Sequence, residues 1–232
     1  KLTRKIFQSV DDNILTYLDD DGTMVEPIYY APIIPMILVN GSKGIGTGFS
    51  TDIMPYNPND IIKCVRMLLR GEEVTNDIVP YYEGFKGSIS PINESKFLIK
   101  GVYEHDGKNK LRILELPVGT WTDDYKSELE YMMCDKDKKG KKKTVYIKDY
   151  NDMSTDKTVD ITLTLQNGLL EKLESAQCEF GCNGIEKVFK LYTTRSTTNM
   201  YMFDAQDELK KYKSAIDIIK DYFKERLSLY EK

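Results

Sequence analysis

The sequence contains few of the residues from which metal and disulfide sites are built. Among its 232 residues are four cysteines and one histidine. Only Cys178 and Cys182 are close in sequence, and a zinc site needs a second pair at similar spacing. We therefore expect unpaired thiols in a reducing compartment. His105 has no second ligand or base near it in sequence, so we interpret it as a polar turn residue.

Long apolar runs are also absent. No stretch is long and apolar enough to cross a membrane, and the residues from Lys1 onward lack the apolar core of a signal peptide. The composition therefore predicts a soluble intracellular protein with no membrane partner. The length allows one large domain, or one domain with appendages.

Positive charge is not in excess, since 33 lysines and arginines face 37 acidic residues, a net charge of −4. This balance argues against nucleic-acid binding over the whole surface, because phosphate contacts use lysine and arginine. Lysine is nevertheless concentrated in residues 136–143, where six of eight residues are lysines. We interpret this run as a solvated loop, with contact to the outer arm of a bent duplex as the alternative.

What the sequence does contain is an apolar run that leads into a glycine-rich loop, residues 31–50 (APIIPMILVNGSKGIGTGFS). Glycine allows a positive φ and a close approach by another molecule. The loop places one branched apolar side chain, Ile45, among four glycines, with a cation and hydroxyls beside it: Gly41, Ser42, Lys43, Gly44, Gly46, Thr47 and Gly48.

Three interpretations of this loop compete. Phosphate binding fails on spacing, because a Walker-type lysine is replaced by Thr47 and the last small residue of a dinucleotide fingerprint by Phe49. The second interpretation is a tight turn in which Ile45 folds back onto the domain and has only a structural role. The third is an apolar wedge that separates a DNA base step. The residues alone leave the second and third open.

Local patterns predict helices at several places. Asn57 and Pro58 begin a helix that Gly71 ends. Thr122 caps a second helix, which Trp121 is expected to pack onto a sheet. A short helix is predicted over 167–177, and a long one over 205–232, capped by Asp204 and apolar at every third or fourth residue.

Strands are predicted at 97–103, 110–116, 159–165, 188–191 and 199–203. The clearest is 159–165, in which apolar residues alternate with Asp and Thr. The hydroxyl-rich residues 193–198 are expected to form a loop. Strands followed by scattered helices favour the α+β class over alternating βαβ units.

Further stretches form one pattern with the loop. Near it they are Val25-Glu26-Pro27, Tyr30, Pro32 to Met36, Leu38, Asn40-Gly41 and Gly44 to Gly48. Further along they are Gly71-Glu72-Glu73, Phe85-Lys86-Gly87, Leu116-Pro117-Val118, Thr120-Trp121-Thr122, Tyr125-Lys126, Lys187 to Leu191 and Phe203-Asp204. Together they resemble the DNA breakage-reunion region of eukaryotic-type DNA topoisomerase II, a type IIA enzyme. The resemblance covers essentially the whole chain.

The resemblance implies that Ile45 intercalates into DNA and bends it. In that context we predict DNA contacts at Lys43, Gly44, Gly46 and Thr47 around the tip, and at Lys142 and Lys143 in the lysine run. The implied architecture is the tail of a winged-helix domain (1–30), a tower domain with a β-sheet and flanking helices (31–203), and the start of a coiled-coil helix (204–232).

The resemblance also implies that catalytic residues and cofactors belong to other parts of the parent enzyme. The catalytic tyrosine of the family would lie upstream of Lys1, so no catalytic residue and no metal ligand is assigned here. Mg²⁺ and ATP are expected as cofactors of the parent, which is expected to be a nuclear homodimer acting on double-stranded DNA. The alternative is a non-catalytic module that docks a protein through its C-terminal amphipathic helix. A nucleotide-binding enzyme ranks last because the motif spacing fails.

Overall fold

The computed structural model describes residues 2–74, 78–136 and 139–232. Its helices are α1 (Thr3–Ile6), α2 (Met36–Asn40), α3 (Pro58–Leu69), α4 (Thr122–Met133), α5 (Leu169–Ser175), α6 (Gly184–Val188) and α7 (Ala215–Glu231). Its strands are β1 (Tyr17–Asp20), β2 (Thr23–Pro27), β3 (Ser42–Ile45), β4 (Ser50–Ile53), β5 (Ser88–Asn93), β6 (Lys96–Lys100), β7 (Val102–His105), β8 (Lys110–Glu115), β9 (Ile147–Asp152), β10 (Ile161–Leu165), β11 (Tyr192–Ser196), β12 (Met200–Phe203) and β13 (Leu209–Tyr212). These strands pair in antiparallel fashion, which confirms the α+β class.

The chain divides into two compact units. Unit 1 is Lys1–Tyr82 together with Thr197–Lys232, and unit 2 is Glu83–Ser196. The resemblance placed boundaries after residues 30 and 203 instead. The difference arises because β4 packs beside β12 and α3 beside α7, which joins the glycine-rich loop to the C-terminal residues. The assignment of 1–30, 31–203 and 204–232 to named domains stays a prediction.

Unit 2 contains two sheets and one continuous apolar core. The four-stranded sheet has the order β7-β8-β10-β9, and the three-stranded sheet has the order β11-β6-β5. Alternation along β10 is confirmed, since Ile161, Leu163 and Leu165 are buried and the threonines between them are not. Tyr125 and Leu129 of α4 pack into the same core. The core therefore forms from one face of a sheet and the helices that cover it.

Unit 1 is built from three hairpins and two packed helices. The hairpins are β1–β2, β3–β4 and β12–β13, and α3 packs against α7. The start of α3 is confirmed, because Asn57 Oδ1 accepts a hydrogen bond from the Asn59 N–H at 2.9 Å and Pro58 is the first helical residue. Ile61 is fully buried on the inner face of this helix. Within the described ranges, every helix is too short or too polar to cross a bilayer.

The long C-terminal helix begins later than predicted. Asp204 lies in the turn of the β12–β13 hairpin, and α7 starts only at Ala215. Ser214 Oγ accepts from the Asp217 N–H and the Asp217 carboxylate accepts from the Ser214 N–H, both at 3.1 Å. This capping box is the true start signal. The 17 residues of α7 span about 26 Å at 1.5 Å per residue, whereas the predicted helix over 205–232 would span about 42 Å.

Four other local predictions were wrong in whole or in part. The strand predicted over 188–191 does not form, because 184–188 is α6 and the next strand, β11, begins at Tyr192. Residues 193–196 of the predicted loop 193–198 belong to β11, which pairs with β6. The predicted strand 97–103 is split between β6 and β7, which belong to different sheets. His105 is the last residue of β7, opposite Leu111, with its Nε2 3.4 Å from a Glu174 oxygen.

The helix after residue 120 forms with different contacts from those predicted. The cap position is Trp121, which makes no side-chain capping hydrogen bond, and Thr122 is the first helical residue. The Trp121 side chain is 76% exposed and does not pack the helix onto a sheet. The buried residues of α4 are Tyr125, whose hydroxyl donates to the Phe189 carbonyl at 2.8 Å, and Leu129.

Candidate nucleic-acid interface

Ile45 stands at the tip of the β3–β4 hairpin. The register pairs Ser42 with Ile53 and Ile45 with Ser50, and the Gly46 N–H donates to the Phe49 carbonyl at 2.8 Å to close the loop. Ile45 is 93% exposed, the highest value for any large apolar side chain in the described part of the chain. The side chain therefore does not fold back onto its own unit, and the structural interpretation of a tucked turn residue is wrong.

The four glycines of the hairpin have two different roles. At Gly41 φ is +70°, and an added Cβ would lie 2.9 Å from the Ile53 carbonyl oxygen; Gly48 has φ of +87°. These two are required by the fold itself. At Gly44 φ is ordinary and an added Cβ would meet nothing within 4 Å, and at Gly46 the nearest atom would be a Phe49 ring carbon at 3.4 Å. The fold does not require glycine on either side of Ile45.

The hairpin is anchored by a segment far away in sequence. The Asp52 N–H donates to the Asn199 carbonyl at 2.8 Å, and the Asn199 amide donates to Ser50 Oγ at 2.9 Å. Nearer the tip, the Phe49 ring meets the Phe203 ring edge to face, with centroids 6.2 Å apart at 83°. Both strand β4 and the loop are thus attached to β12, which holds the tip in a defined position.

The predicted site residues fall into two groups. Lys43, Gly44, Gly46 and Thr47 are all exposed and surround Ile45 on the hairpin of unit 1. The lysine run belongs to unit 2, and part of it, residues 137 and 138, lies outside the described residues. The structure therefore assembles the tip residues into one surface and leaves the lysine run as a separate element.

The two predicted lysines of the run differ from each other. Lys142 is exposed and pairs with Lys136 in an antiparallel bridge. Lys143 is half-buried, and its ammonium donates to the Tyr131 carbonyl and lies 3.3 Å from the centroid of the Tyr131 ring. The Lys143 side chain thus attaches its loop to α4, and Lys142 is the more exposed of the two.

Sequence reasoning missed the residues that support the tip. Asn199 and Phe203 reach the hairpin across about 150 positions of sequence, the Asn199–Ser50 separation being 149. No local pattern indicates a contact at that distance. Phe203 was placed correctly in a strand, but the strand after it, β13, was predicted to be helix. The hairpin partner was therefore absent from the prediction.

The described residues show no metal site, and three of their tyrosines have pKa values shifted by burial. Among residues 2–74, 78–136 and 139–232, no three His, Cys, Asp or Glu side chains are grouped so that they could hold a metal ion. Burial raises the pKa values of Tyr125, Tyr212 and Tyr222, which keeps these phenols protonated.

The geometry defines a class of protein that presents an apolar residue on a rigid, glycine-flanked hairpin with a cation and a hydroxyl beside it. The model of the DNA gyrase/topoisomerase IV A-subunit family matches residues 1–232, and the chain belongs to this family.

Similar proteins narrow the family further. DNA topoisomerase 2 of Drosophila melanogaster is 39% identical over 225 residues, covering 97% of this chain and 15% of that protein. The Arabidopsis thaliana protein of the same name is 41% identical over 235 residues, covering 100% and 15%. The crystal structure of the Plasmodium falciparum topoisomerase II DNA-binding, cleavage and re-ligation domain matches with a TM-score of 0.87 and 40% identity, over 99% of this chain and 29% of that one. These findings confirm the resemblance to eukaryotic-type topoisomerase II, and this chain spans about 15% of the length of these curated relatives.

Proposed function

We propose that this chain is the DNA-binding and DNA-bending part of an ATP-dependent type IIA DNA topoisomerase. The observation that carries the proposal is Ile45, 93% exposed on a hairpin that is anchored at both its strand and its loop. An isolated apolar residue held rigidly in solvent has no folding role. Proteins that bind the minor groove insert apolar residues of this kind between two base pairs and so kink the duplex.

The glycines beside the tip support the same function. Because the fold does not require Gly44 or Gly46, their lack of side chains is explained by a second molecule that approaches Ile45 closely. Lys43 supplies a cation and Thr47 a hydroxyl at the same tip, as phosphate contacts need. Bending a site of this size costs on the order of 1–10 kcal/mol, so DNA that kinks easily is preferred without being read base by base.

The structure weakens the alternative of a protein-interaction module. That alternative required the C-terminal amphipathic helix to present its apolar face to a partner. Instead Ile216, Ile218 and Ile219 of α7 are buried within unit 1, where α7 packs against α3. The helix uses its apolar face inside its own unit.

The remaining chemistry is proposed for other parts of the parent protein. These parts would supply the tyrosine nucleophile, the magnesium site and the ATPase, and the parent would cleave both strands, pass a second duplex and reseal the first. We further propose that the parent is a homodimer and acts in the nucleus. In this scheme the present chain binds the cleaved duplex and sets its bend.

Energy transfer between dyes at the two ends of a short duplex tests the proposal, with and without the 232-residue chain, at low and moderate salt. We expect salt-sensitive bending that Ile45→Ala removes while most binding remains. Ile28→Ala is the matched control, because Ile28 is a 61% exposed isoleucine of the same unit outside the hairpin. Equal loss of binding and bending in Ile45→Ala would show that Ile45 only supports the loop, and an unbent wild-type complex would contradict the proposal.

A pair of glycine variants tests the close approach. Gly44→Ala should leave the unfolding midpoint unchanged or slightly raised, because alanine in an open strand position loses less backbone entropy on folding. It should nevertheless weaken DNA bending. Gly41→Ala should lower stability by about 1–3 kcal/mol, because its positive φ and the Ile53 carbonyl leave no room for a Cβ. Normal bending by Gly44→Ala would refute the close approach.

A further inference from the structure

The β12–β13 hairpin has one buried face and one exposed face. Its register pairs Met200 with Tyr212, Tyr201 with Lys211, Met202 with Lys210 and Phe203 with Leu209. Met200 and Tyr212 are both buried. Because side chains of paired strands alternate between the two faces, the Tyr201–Lys211 and Phe203–Leu209 pairs lie together on the opposite, exposed face. Phe203 is 55% and Leu209 44% exposed.

This exposed face lies directly beside the intercalating tip. Its Phe203 ring makes the edge-to-face contact with Phe49, the last residue of the loop that carries Ile45. At the other end of β12, Asn199 is bonded to Ser50 and Asp52 of β4. The two hairpins are therefore fixed to each other along the length of β12, within one unit.

The two neighbouring lysines of β13 have opposite environments. Lys210, on the inner face, forms an ion pair with Asp221 and lies 5.0 Å from the centroid of the Tyr212 ring. Lys211, on the exposed face, lies 5.4 Å from the centroid of the Tyr201 ring. Within the described residues Lys211 is in no ion pair. Its aromatic neighbour orients the ammonium without neutralising it.

We propose that this exposed face is a second DNA-contacting surface, on which Lys211 binds a backbone phosphate of the duplex that Ile45 enters. Phe203 is a positioning residue that holds Phe49 beneath the tip. The inference rests on the DNA-bending function proposed above and adds a named phosphate contact and a support to it.

The charge distribution places the phosphate at the Lys211 end of the hairpin. The connecting turn carries Asp204, Asp207 and Glu208, and Asp204 accepts backbone N–H bonds from Gln206 and Glu208, both at 3.0 Å. These carboxylates repel phosphate. Lys211 is two residues further along β13 than Leu209, about 7 Å from the turn at the rise of an antiparallel strand, and on the same face as the tip contact.

The test is the salt dependence of duplex binding by the 232-residue chain, read by fluorescence anisotropy. The plot of log affinity against log salt has a negative slope, and the loss of one phosphate contact makes that slope less steep by about 0.9. We expect that loss in Lys211→Ala, with an unchanged unfolding midpoint. Lys210→Ala is the matched control, one residue away on the opposite face, and should keep the slope but lower the midpoint. An unchanged slope in Lys211→Ala would overturn the phosphate contact.

Phe203→Leu tests the support separately. We expect a smaller bend by energy transfer with an unchanged salt slope, because the variant keeps the charge of the face and loses only the ring contact. A normal bend would overturn the positioning role. If wild type binds and bends DNA and Ile45→Ala does not bend it, failure of the Lys211 and Phe203 arms contradicts only this inference. If wild type shows no salt-dependent binding, the proposed function and this inference both fail.

Discussion

The two units differ in how many large apolar side chains they leave exposed. Unit 2 buries a continuous cluster of fourteen residues, whereas in the described residues its large exposed apolar side chains are only Trp121, Met153 and Phe180. The other exposed large apolar residues belong to unit 1, among them Ile45, Phe49 and Phe203. Both units bury apolar side chains, but unit 1 exposes more of the large ones, including that of the hairpin proposed to enter DNA.

Specific polar contacts join remote segments of unit 1. The Arg226 guanidinium of α7 donates to both Asp11 oxygens at 2.9 and 3.1 Å, and the two side chains are only 5% and 7% exposed. The Tyr230 ring lies 4.1 Å from this guanidinium, and the Tyr222 hydroxyl donates to the Pro32 carbonyl. In addition to its buried apolar residues, unit 1 is thus held at defined polar contacts, and such contacts are sensitive to single substitutions.

The largest effect is expected in the core of unit 2. Phe189→Ala should lower the free energy of unfolding by about 4 kcal/mol, because Phe189 is fully buried and its removal leaves a cavity. Met153→Ala, at a 65% exposed position of the same unit, should change it by less than about 0.5 kcal/mol. Denaturant unfolding measures both. Similar values for the two variants would remove the distinction between a closed core and an open surface.

The next effect concerns the polar attachment of α7. Asp11→Ala should cost about 3 kcal/mol, because it leaves the buried Arg226 charge without its partner. Replacing both residues, as in Asp11→Ala with Arg226→Met, should recover much of that loss in the same unfolding assay. If the single variant is neutral, unit 1 does not depend on this pair and resembles unit 2 more closely than we infer.

Acid should weaken unit 2 by a smaller amount. Hydrogen bonds from Ser154, followed by the Lys126 ammonium at 3.0 Å, lower the pKa of Asp152 from 3.8 to about 2. Because the folded pKa is below the unfolded one, this stabilisation is fully present above about pH 4 and is lost as pH falls through about 2. Asp152→Asn should remove about 1 kcal/mol at pH 7 and flatten the decline of stability in acid. An unchanged decline of stability in acid in Asp152→Asn would contradict this contribution.

The smallest effect is expected at Trp121. Since its side chain is 76% exposed, Trp121→Ala should change the free energy of unfolding by less than about 0.5 kcal/mol. Tyr125→Phe on the same helix should cost about 1 kcal/mol, because its buried hydroxyl donates to the Phe189 carbonyl. A larger loss at Trp121 than at Tyr125 would show that unit 2 uses its surface tryptophan structurally.

The parts of the fold that sequence predicted well are those with one dominant local signal. The Asn57-Pro58 start of α3 and the alternation of β10 each had a single strong pattern and were confirmed. The segment 204–214 carried two competing signals. Its spacing of Leu209 and Tyr212 suits a helix, but the pairing of β13 with β12 decided the outcome. Trp121 was expected to pack α4 onto a sheet because of its residue type, but the buried residues of that helix are Tyr125 and Leu129, which share its apolar face.

The sequence indicated which residues surround the hairpin tip but not which residues support it. Glycine density and the resemblance together pointed to Ile45 and its neighbours Lys43, Gly44, Gly46 and Thr47, which the structure places on one exposed hairpin; their role in DNA binding stays a prediction. These indications did not separate Gly41, which the backbone requires, from Gly44, which it does not, because that distinction depends on the position of the Ile53 carbonyl. Phe203 could not be placed beside the tip, since its contact with Phe49 joins remote strands.

The attachment of the hairpin to β12 also sets an order for assembly. Unit 2 is continuous in sequence, Glu83–Ser196, and is complete on the ribosome before Asn199 and Phe203 have been synthesised. Domains generally fold as units during synthesis, from the N-terminal side onward. The residues around Ile45 are therefore already translated, but lack the contacts that anchor them, while the residues of unit 2, Glu83–Ser196, are synthesised and fold. The feature proposed to enter DNA acquires its fixed orientation only after unit 2 has been made, so an incomplete chain cannot present it.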